Sequence, residues 1–409
     1  MVEVRISSAR LRRVFFLATC AAGAMNFPME ASAQAVCDAT GTFVTSPSAT
    51  AENSLACGEG AVASGVSSTA FGEASSVAGL EAQAYGFTNT ASGFGSTALG
   101  GRSTASETFA TAVGWANTAS GTNSFAGGNR ADASGASSVA LGDNVLASGL
   151  NSVAVGLNAA AEGESGTAVG QDSVASGRQA VAAGFTNTAS GFGSTALGGR
   201  STASETFATA VGWANTASGT NSFAGGNRAD ASGASSVALG DNVLASGENA
   251  VALGATASAT GAGSVAIGAG SVADADNVVS VGSADNQRRI TNVAAGAAAG
   301  DAVNMAQFQG GLDQLTSSFA GQVADIRFDL EDARRDAEAG TAAAMAVSSI
   351  PQPMRVGGTS IGAGAATWRG ESAFAFGASH SFEKAVVKVG AAFDGRGGGG
   401  ASVGAGFQF

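Results

Sequence analysis

The sequence predicts a mainly β protein: a parallel β-solenoid of 14-residue coils, a short coiled-coil helix, and four amphipathic strands at the C-terminus. Three observations carry that reading. Glycine returns every 14 residues from Gly58 to Gly282 without a register slip. Apolar residues fall at heptad spacing between Met305 and Ala344. After Pro351, large apolar residues alternate with small ones up to Phe409.

Composition sets the frame. The chain has 409 residues, 62 of them glycine, and its 45% apolar content is largely alanine. Such a chain cannot fill a thick globular core, but it suits thin, closely stacked structures. Charged residues make up only 12%, and there is enough Val, Leu, Ile and Phe to bury, which argues against disorder.

Residues 1–33 read as a secretory signal. Arg5, Arg10, Arg12 and Arg13 form a basic start, Val14 to Met25 an apolar run, and Ala31-Ser32-Ala33 a small-x-small cleavage site. Leu17 to Cys20 only faintly resembles a lipobox, because Thr19 fits poorly. Removing four Arg and two Glu with this segment takes the net charge from −12 to −14. An acidic chain offers phosphates no basic stripe, which argues against nucleic-acid binding. No mature segment is long and apolar enough for a transmembrane helix, so residence in a membrane requires a β-barrel.

The repeat dictates the first large segment. Alanine stands two residues before each 14-spaced glycine from Ala56 to Ala266. A second glycine usually follows seven residues on, as at Gly65, Gly93, Gly121 and Gly149. Seven residues are too few for a helix but enough for a strand and a tight turn, and the glycines are expected to supply the turn conformations. Each unit is then one coil of a two-sided solenoid. At about 4.8 Å per coil the stack forms a rod of roughly 80 Å. Gly86 to Gly149 is identical to Gly184 to Gly247, seven units away, so the coils behave as modules.

Strand alternation assigns the faces. The fixed alanines suit a narrow interior. Val139 and Leu141, Val153 and Val155, and Val265 and Ile267 then point outside the coil. A continuous apolar ladder of that length needs a cover, and partner chains supply it. The opposite assignment puts these residues inside a monomeric solenoid. The segments that follow favour the oligomer.

The period stops after Gly282. A strand end, a polar turn, Arg288-Arg289 and a start towards helix at Asp301 come next. Met305, Leu312, Phe319, Ile326 and Ala333, with Val323, Leu330, Ala337 and Ala344, make a coiled-coil seam. Gly310-Gly311 predicts a break near its start, and Ile350-Pro351 its end. Strands are expected over 356–368, 371–382, 384–393 and 401–409. One face is large and apolar (Phe374, Phe376, Val389, Val403) and the other small, the pattern of an outer-membrane strand. Four strands cannot close a pore, whereas three chains would give twelve.

The SVALG…ASG units resemble the head repeats of trimeric autotransporter adhesins of the YadA-like family. Arg288 to Gly296 (RRITNVAAG) with Asp301 to Gln307 (DAVNMAQ) resembles their neck, and GTAAAMAVSSIPQP with the strands ending in Phe409 resembles their membrane anchor. The resemblance implies a trimeric left-handed parallel β-roll head, a short coiled-coil stalk and a 12-stranded outer-membrane barrel shared by three chains. The expected divisions are signal 1–33, N-terminal segment 34–53, head 54–277, neck 278–308, stalk and lumenal helix 309–350, and anchor 351–409. It implies attachment to host or environmental surfaces, self-translocation through the barrel, and alternatively autoagglutination or biofilm formation. The implied partners are two further copies, outer-membrane lipid, the barrel-assembly machinery and a surface ligand of unknown identity. Phe407 and Phe409 are the expected assembly signal.

Nothing in the sequence suggests catalysis, a cofactor or a metal. His380 is the only histidine, so neither a catalytic triad nor a His cluster can form. Asp132, Asp143, Glu107 and Glu164 read as solvated turn charges. Trp115 and Trp213 read either as structural filling or as exposed contact points. Cys37 and Cys57 form a disulfide or stay as two buried thiols.

Overall fold

The computed structural model describes residues 35–37, as backbone, and 47–409; the expected signal segment lies outside them. The chain divides into two compact units at Arg289/Ile290.

In the first unit the glycine period becomes a two-sided parallel solenoid. A broad sheet of 18 strands runs from Ala35–Cys37 to Val279–Ser280 among the described residues. A narrow ladder of 17 two-residue strands runs from Ser48–Ala49 to Val272–Ala273. From Leu55 onward each strand pairs with its counterpart 14 residues away, as in Val139↔Val153, Ala140↔Ala154 and Leu141↔Val155. The narrow ladder does the same, with Leu146↔Ala160. Its two end strands pair only with their neighbours, so it is an open stack. The ladders already include Ala35–Cys37 and Ser48–Ala49, ahead of residue 54.

The interior is alanine, as the alternation requires. Ala140 and Ala154 of the broad sheet, and Ala147 and Ala161 of the narrow ladder, are fully buried. Larger side chains would force the two sheets apart, so the small residue sets the thickness of the rod. The interior also holds hydrogen-bonded asparagines. Asn117 donates to the Val113 carbonyl at 2.7 Å and the Gly128 carbonyl at 2.8 Å, and accepts from the Ala131 N–H at 2.8 Å. Asn89, Asn187 and Asn215 repeat this clasp. Each ties its own turn to the next coil.

The turn glycines divide into two kinds, which corrects the expectation that both supply turn conformations. The 14-spaced glycines from Gly58 to Gly268 do have positive φ, 121° at Gly114 for example. The second set, such as Gly65 and Gly121, does not. Their constraint is closeness: a Cβ on Gly65 would lie 2.6 Å from the Gly79 carbonyl carbon of the next coil. The left-handed conformation at every turn falls instead on the residue two places later, whatever its type: Arg102, Phe109, Ala116 and Asn123 all have φ of 55–58°. Stacking the coils overrides the usual preference for glycine or asparagine there.

The second unit is one helix and one sheet. The helix, Met305–Ser348, is continuous through Gly310-Gly311, so the expected break does not occur. Two features offset the glycines. Asn304 and Gln307 form a capping box at its first turn, and Gln309 bonds Asp313 at 2.9 Å across the glycine pair. Four antiparallel strands follow, Thr359–Trp368, Glu371–Ser381, Ala385–Asp394 and Gly399–Phe407, in sequence order. No helix is long and apolar enough to cross a membrane.

Candidate functional site

The solenoid presents an uncovered apolar face. Outward residues of successive broad strands stand in register, as Leu239, Leu253 and Ile267 do. Leu141 is 42% exposed, and Leu239, Leu253 and Ile267 are similar. An apolar row along the whole rod is a surface for another chain. Phe71 and Tyr85 continue it near the N-terminal end, with ring centroids 6.4 Å apart. Trp115 and Trp213 end their broad strands at 48% and 46% exposure, so they are surface residues rather than filling.

The helix repeats this arrangement. Leu312, Phe319, Val323, Ile326 and Leu330 are exposed along the seam. Only its C-terminal part is covered, where Ala342, Ala346 and Ile350 pack on Ala373, Ala375 and Ala392 of the sheet. Close approach demands small residues at that seat. A Cβ on Gly362 would meet Pro351 Cδ at 2.6 Å, and one on Gly364 would strike the Ala346 carbonyl. Lys388 reaches from the third strand and donates to the Ser348 and Ile350 carbonyls at 3.2 and 3.0 Å. It thereby satisfies carbonyls that the helix end leaves open.

The other face of the sheet is apolar and open. Ile361, Phe374, Phe376, Val389, Phe393 and Val403 project from it, Val403 with 77% exposure. Both outer strands also have a free edge, since Thr359–Trp368 and Gly399–Phe407 each pair on one side only. Unpaired edges cannot persist in hydrocarbon, so a sheet of this pattern needs closure by further strands.

Charged groups gather where the helix meets the hairpin ends of the sheet. Arg396, between the third and fourth strands, binds Asp332 at 3.0 Å and Asp336 at 2.6 Å. Arg369, between the first and second, lies 3.7 Å from Glu338, which also pairs with Arg334 at 2.6 Å. Hydrogen bonds from Arg334, then Arg335, hold Glu331 down at a pKa of about 2. Ahead of the helix, Asp301 accepts from the Ala297 and Ala298 N–H groups, and the Ala298 bond is the main cause of its lowered pKa. Gln307 bonds both the N–H and the carbonyl of Gly296. At the end of the solenoid, the Arg288 guanidinium covers Gly268 and donates to Ser271 Oγ at 2.9 Å and the Val281 carbonyl at 2.6 Å.

The residues weighed for chemistry stay apart. No group of three His, Cys, Asp or Glu that could hold a metal occurs among the described residues. His380 Nδ1 shares a hydrogen bond with Thr359 Oγ1 at 2.8 Å across the strand pair. Asp132 and Asp143 prove to be strand residues rather than turn residues, and Asp143 accepts from Asn129 at 2.7 Å. Glu107 lies in a turn, and Glu164 pairs with Arg178 at 3.5 Å. Cys57 is disulfide-bonded, and the parallel register sets Cys37 opposite it. Phe407 ends the last strand, and Phe409 lies two residues beyond it. Sequence reasoning assigned no role to Lys388, Arg396 or Asn117; the fold brings each a partner from the far end of a longer stretch, 40 residues away for Lys388, 64 for Arg396 and 11 for Asn117.

Comparison with known proteins agrees with this anatomy. The model of the YadA head domain repeat matches in eleven segments, several of them overlapping, within residues 49–75 and 91–284. The coiled stalk of trimeric autotransporter adhesin matches residues 289–326, and the YadA-like membrane anchor domain residues 351–409. Among solved structures, the collagen-binding domain of the Yersinia adhesin YadA is 26% identical, over 53% of this chain and 86% of that one, with a TM-score of 0.22. No curated protein matches the chain. With matched repeats across more than half its length, and the stalk and anchor after them, the chain belongs to the YadA-like trimeric autotransporter adhesins, homotrimers displayed on the cell surface from an outer-membrane anchor.

Proposed function

We propose that this protein attaches its cell to host or environmental surfaces, after the barrel made by three copies has helped its own head and stalk across the outer membrane. The observation that carries this reading is the pairing of two incomplete surfaces in one chain. The solenoid exposes a long apolar ladder, and the terminal sheet has two open edges. Threefold association covers the first and closes the second. The product is a rod that holds many copies of one repeated surface away from the cell, where weak contacts add through multivalency.

Export through the periplasm precedes this step, and Phe407 and Phe409 serve as the signal read by the barrel-assembly machinery. Deleting Phe409 should lower the amount of trimer in the outer membrane; an unchanged amount removes that role.

The deciding experiment expresses the full chain in a non-adherent Gram-negative cell. Attachment to matrix-coated and abiotic surfaces is measured beside cell–cell clumping. Attachment that a head-deleted variant lacks supports adhesion. Clumping without attachment supports autoagglutination instead, which the repeated outer surface also suits. Neither behaviour, with the trimer present on the cell, overturns the proposal.

A further inference from the structure

The solenoid carries few cations, and their placement is uneven. Between residues 47 and 277 there are 16 acidic residues but five arginines and no lysine. Four of the five, Arg102, Arg130, Arg200 and Arg228, occupy one corner row, each two residues after a 14-spaced glycine. That row holds no large apolar residue: Ala116, Asn144, Asn158, Asp172 and Asn242 also stand in it. It is a solvent-facing corner, unlike the apolar ladder beside it. All four arginines are exposed, and none makes an ion pair among the described residues.

A tryptophan lies between the members of each pair. Trp115 stands one coil from both Arg102 and Arg130, and Trp213 stands likewise between Arg200 and Arg228. The indole of Trp115 lies back across Gly101, where an added Cβ would come within 2.5 Å of Cζ3. Gly199 seats Trp213 in the same way. One side of each ring therefore rests on backbone, and nearly half of the residue stays open to solvent. The Arg102 guanidinium lies 5.9 Å from the Trp115 ring. Along the ends of the broad strands the nearest acid, Asp143, is engaged by Asn129, and Asp241 is engaged by Asn227.

A flat ring fixed on a glycine shelf between two guanidinium groups that make no ion pair among the described residues is a surface for a ring-shaped anion. Arg binds carboxylate and sulfate oxygens in a planar fork, and the indole stacks on the apolar face of a sugar. The two arginines stand two coils, about 10 Å, apart along the rod, the scale of neighbouring charged sugars on a chain. The second copy lies seven coils on, about 34 Å further. We propose that Arg102, Trp115 and Arg130, and their duplicates Arg200, Trp213 and Arg228, are two tandem sites for an anionic polysaccharide bearing carboxylate or sulfate groups. Three chains present six such sites, so modest affinity per site becomes firm attachment.

This inference rests on the adhesive reading and narrows it to a ligand class. The test uses full-length trimer on cells, with immobilised heparin as the sulfated probe, hyaluronan as the carboxylated probe and dextran as the neutral one. Wild type should bind heparin or hyaluronan at least about tenfold better than dextran, and whichever it prefers names the anion. Changing the four arginines to Gln should remove that advantage, whereas Arg178→Gln, outside the row, should leave it. The pair Trp115→Ala with Trp213→Ala should weaken polysaccharide binding without changing the salt response. Equal binding to all three probes overturns the proposal, as does a four-arginine variant that binds undiminished. If that variant forms no trimer, wild-type binding that high salt leaves untouched overturns it equally. Cells that adhere but ignore both polyanions refute this inference and leave adhesion standing; cells that adhere to nothing refute adhesion itself.

Discussion

At the residue scale, the asparagine clasps show how a thin rod stays ordered. Asn117 bonds one carbonyl of its own coil and one carbonyl and one N–H of the next. Truncating it removes all three bonds and strands the Ala131 N–H in the interior. Asn117→Ala should destabilise the solenoid by about 1–3 kcal/mol, read as a lower denaturation midpoint. Asn215→Ala, in the duplicate, should cost the same, because each coil touches only its neighbours. Glu331 gives a pH dependence whose sign is fixed by its partners. Its folded pKa lies at about 2, below the ordinary 4.5, so its stabilising contribution is complete above 4.5. That contribution drains away as the pH falls from there towards 2. The helix should therefore melt at a lower temperature at pH 3 than at pH 6, by circular dichroism, and Glu331→Gln should shrink the difference.

At the scale of elements, the seat of the helix on the terminal sheet depends on missing side chains. Gly364 sits under the Ala346 carbonyl and Ser349 Oγ, with no room for a Cβ. Gly364→Val should lift the helix from the sheet and pull Lys388 from the carbonyls of Ser348 and Ile350. The detergent-solubilised trimer should then dissociate at a lower temperature on gels. An unchanged temperature would show that the helix does not bear on barrel stability. The helix itself also shows the limit of local propensity. Gly310-Gly311 costs about 1 kcal/mol per glycine, yet 44 residues stay helical. A capping box just upstream and an i,i+4 pair spanning the glycines hold that turn, and at 1.5 Å per residue the helix extends about 66 Å.

On the scale of the whole molecule, one chain is an unfinished object. The outward ladder of the solenoid, the helix seam and the edges of the sheet are three separate surfaces with the same need. Leu141→Asp together with Leu239→Asp puts charge on the ladder without touching the alanine interior. Heat-resistant trimer should fall sharply in this double variant, while the coil fold itself persists by circular dichroism. A trimer of undiminished resistance would mean that the ladder faces something other than a sister chain.

The sequence by itself determined the coil period, the alanine interior, the seam and the alternation of the terminal strands, because each is a repeating local pattern that one unit imposes on the next. It also placed Leu141 and Ile267 outside the coil from alternation alone. Only the tertiary structure decided why Gly65 and Gly121 must be glycine, since the obstacle is the carbonyl of another coil rather than their own backbone angles. The same holds for Asn117, Lys388 and Arg396, whose partners are distant in the chain, and for Trp115, which became a surface platform once stacking set it over Gly101. Contacts between segments that no local pattern links are settled only when the backbone closes around them.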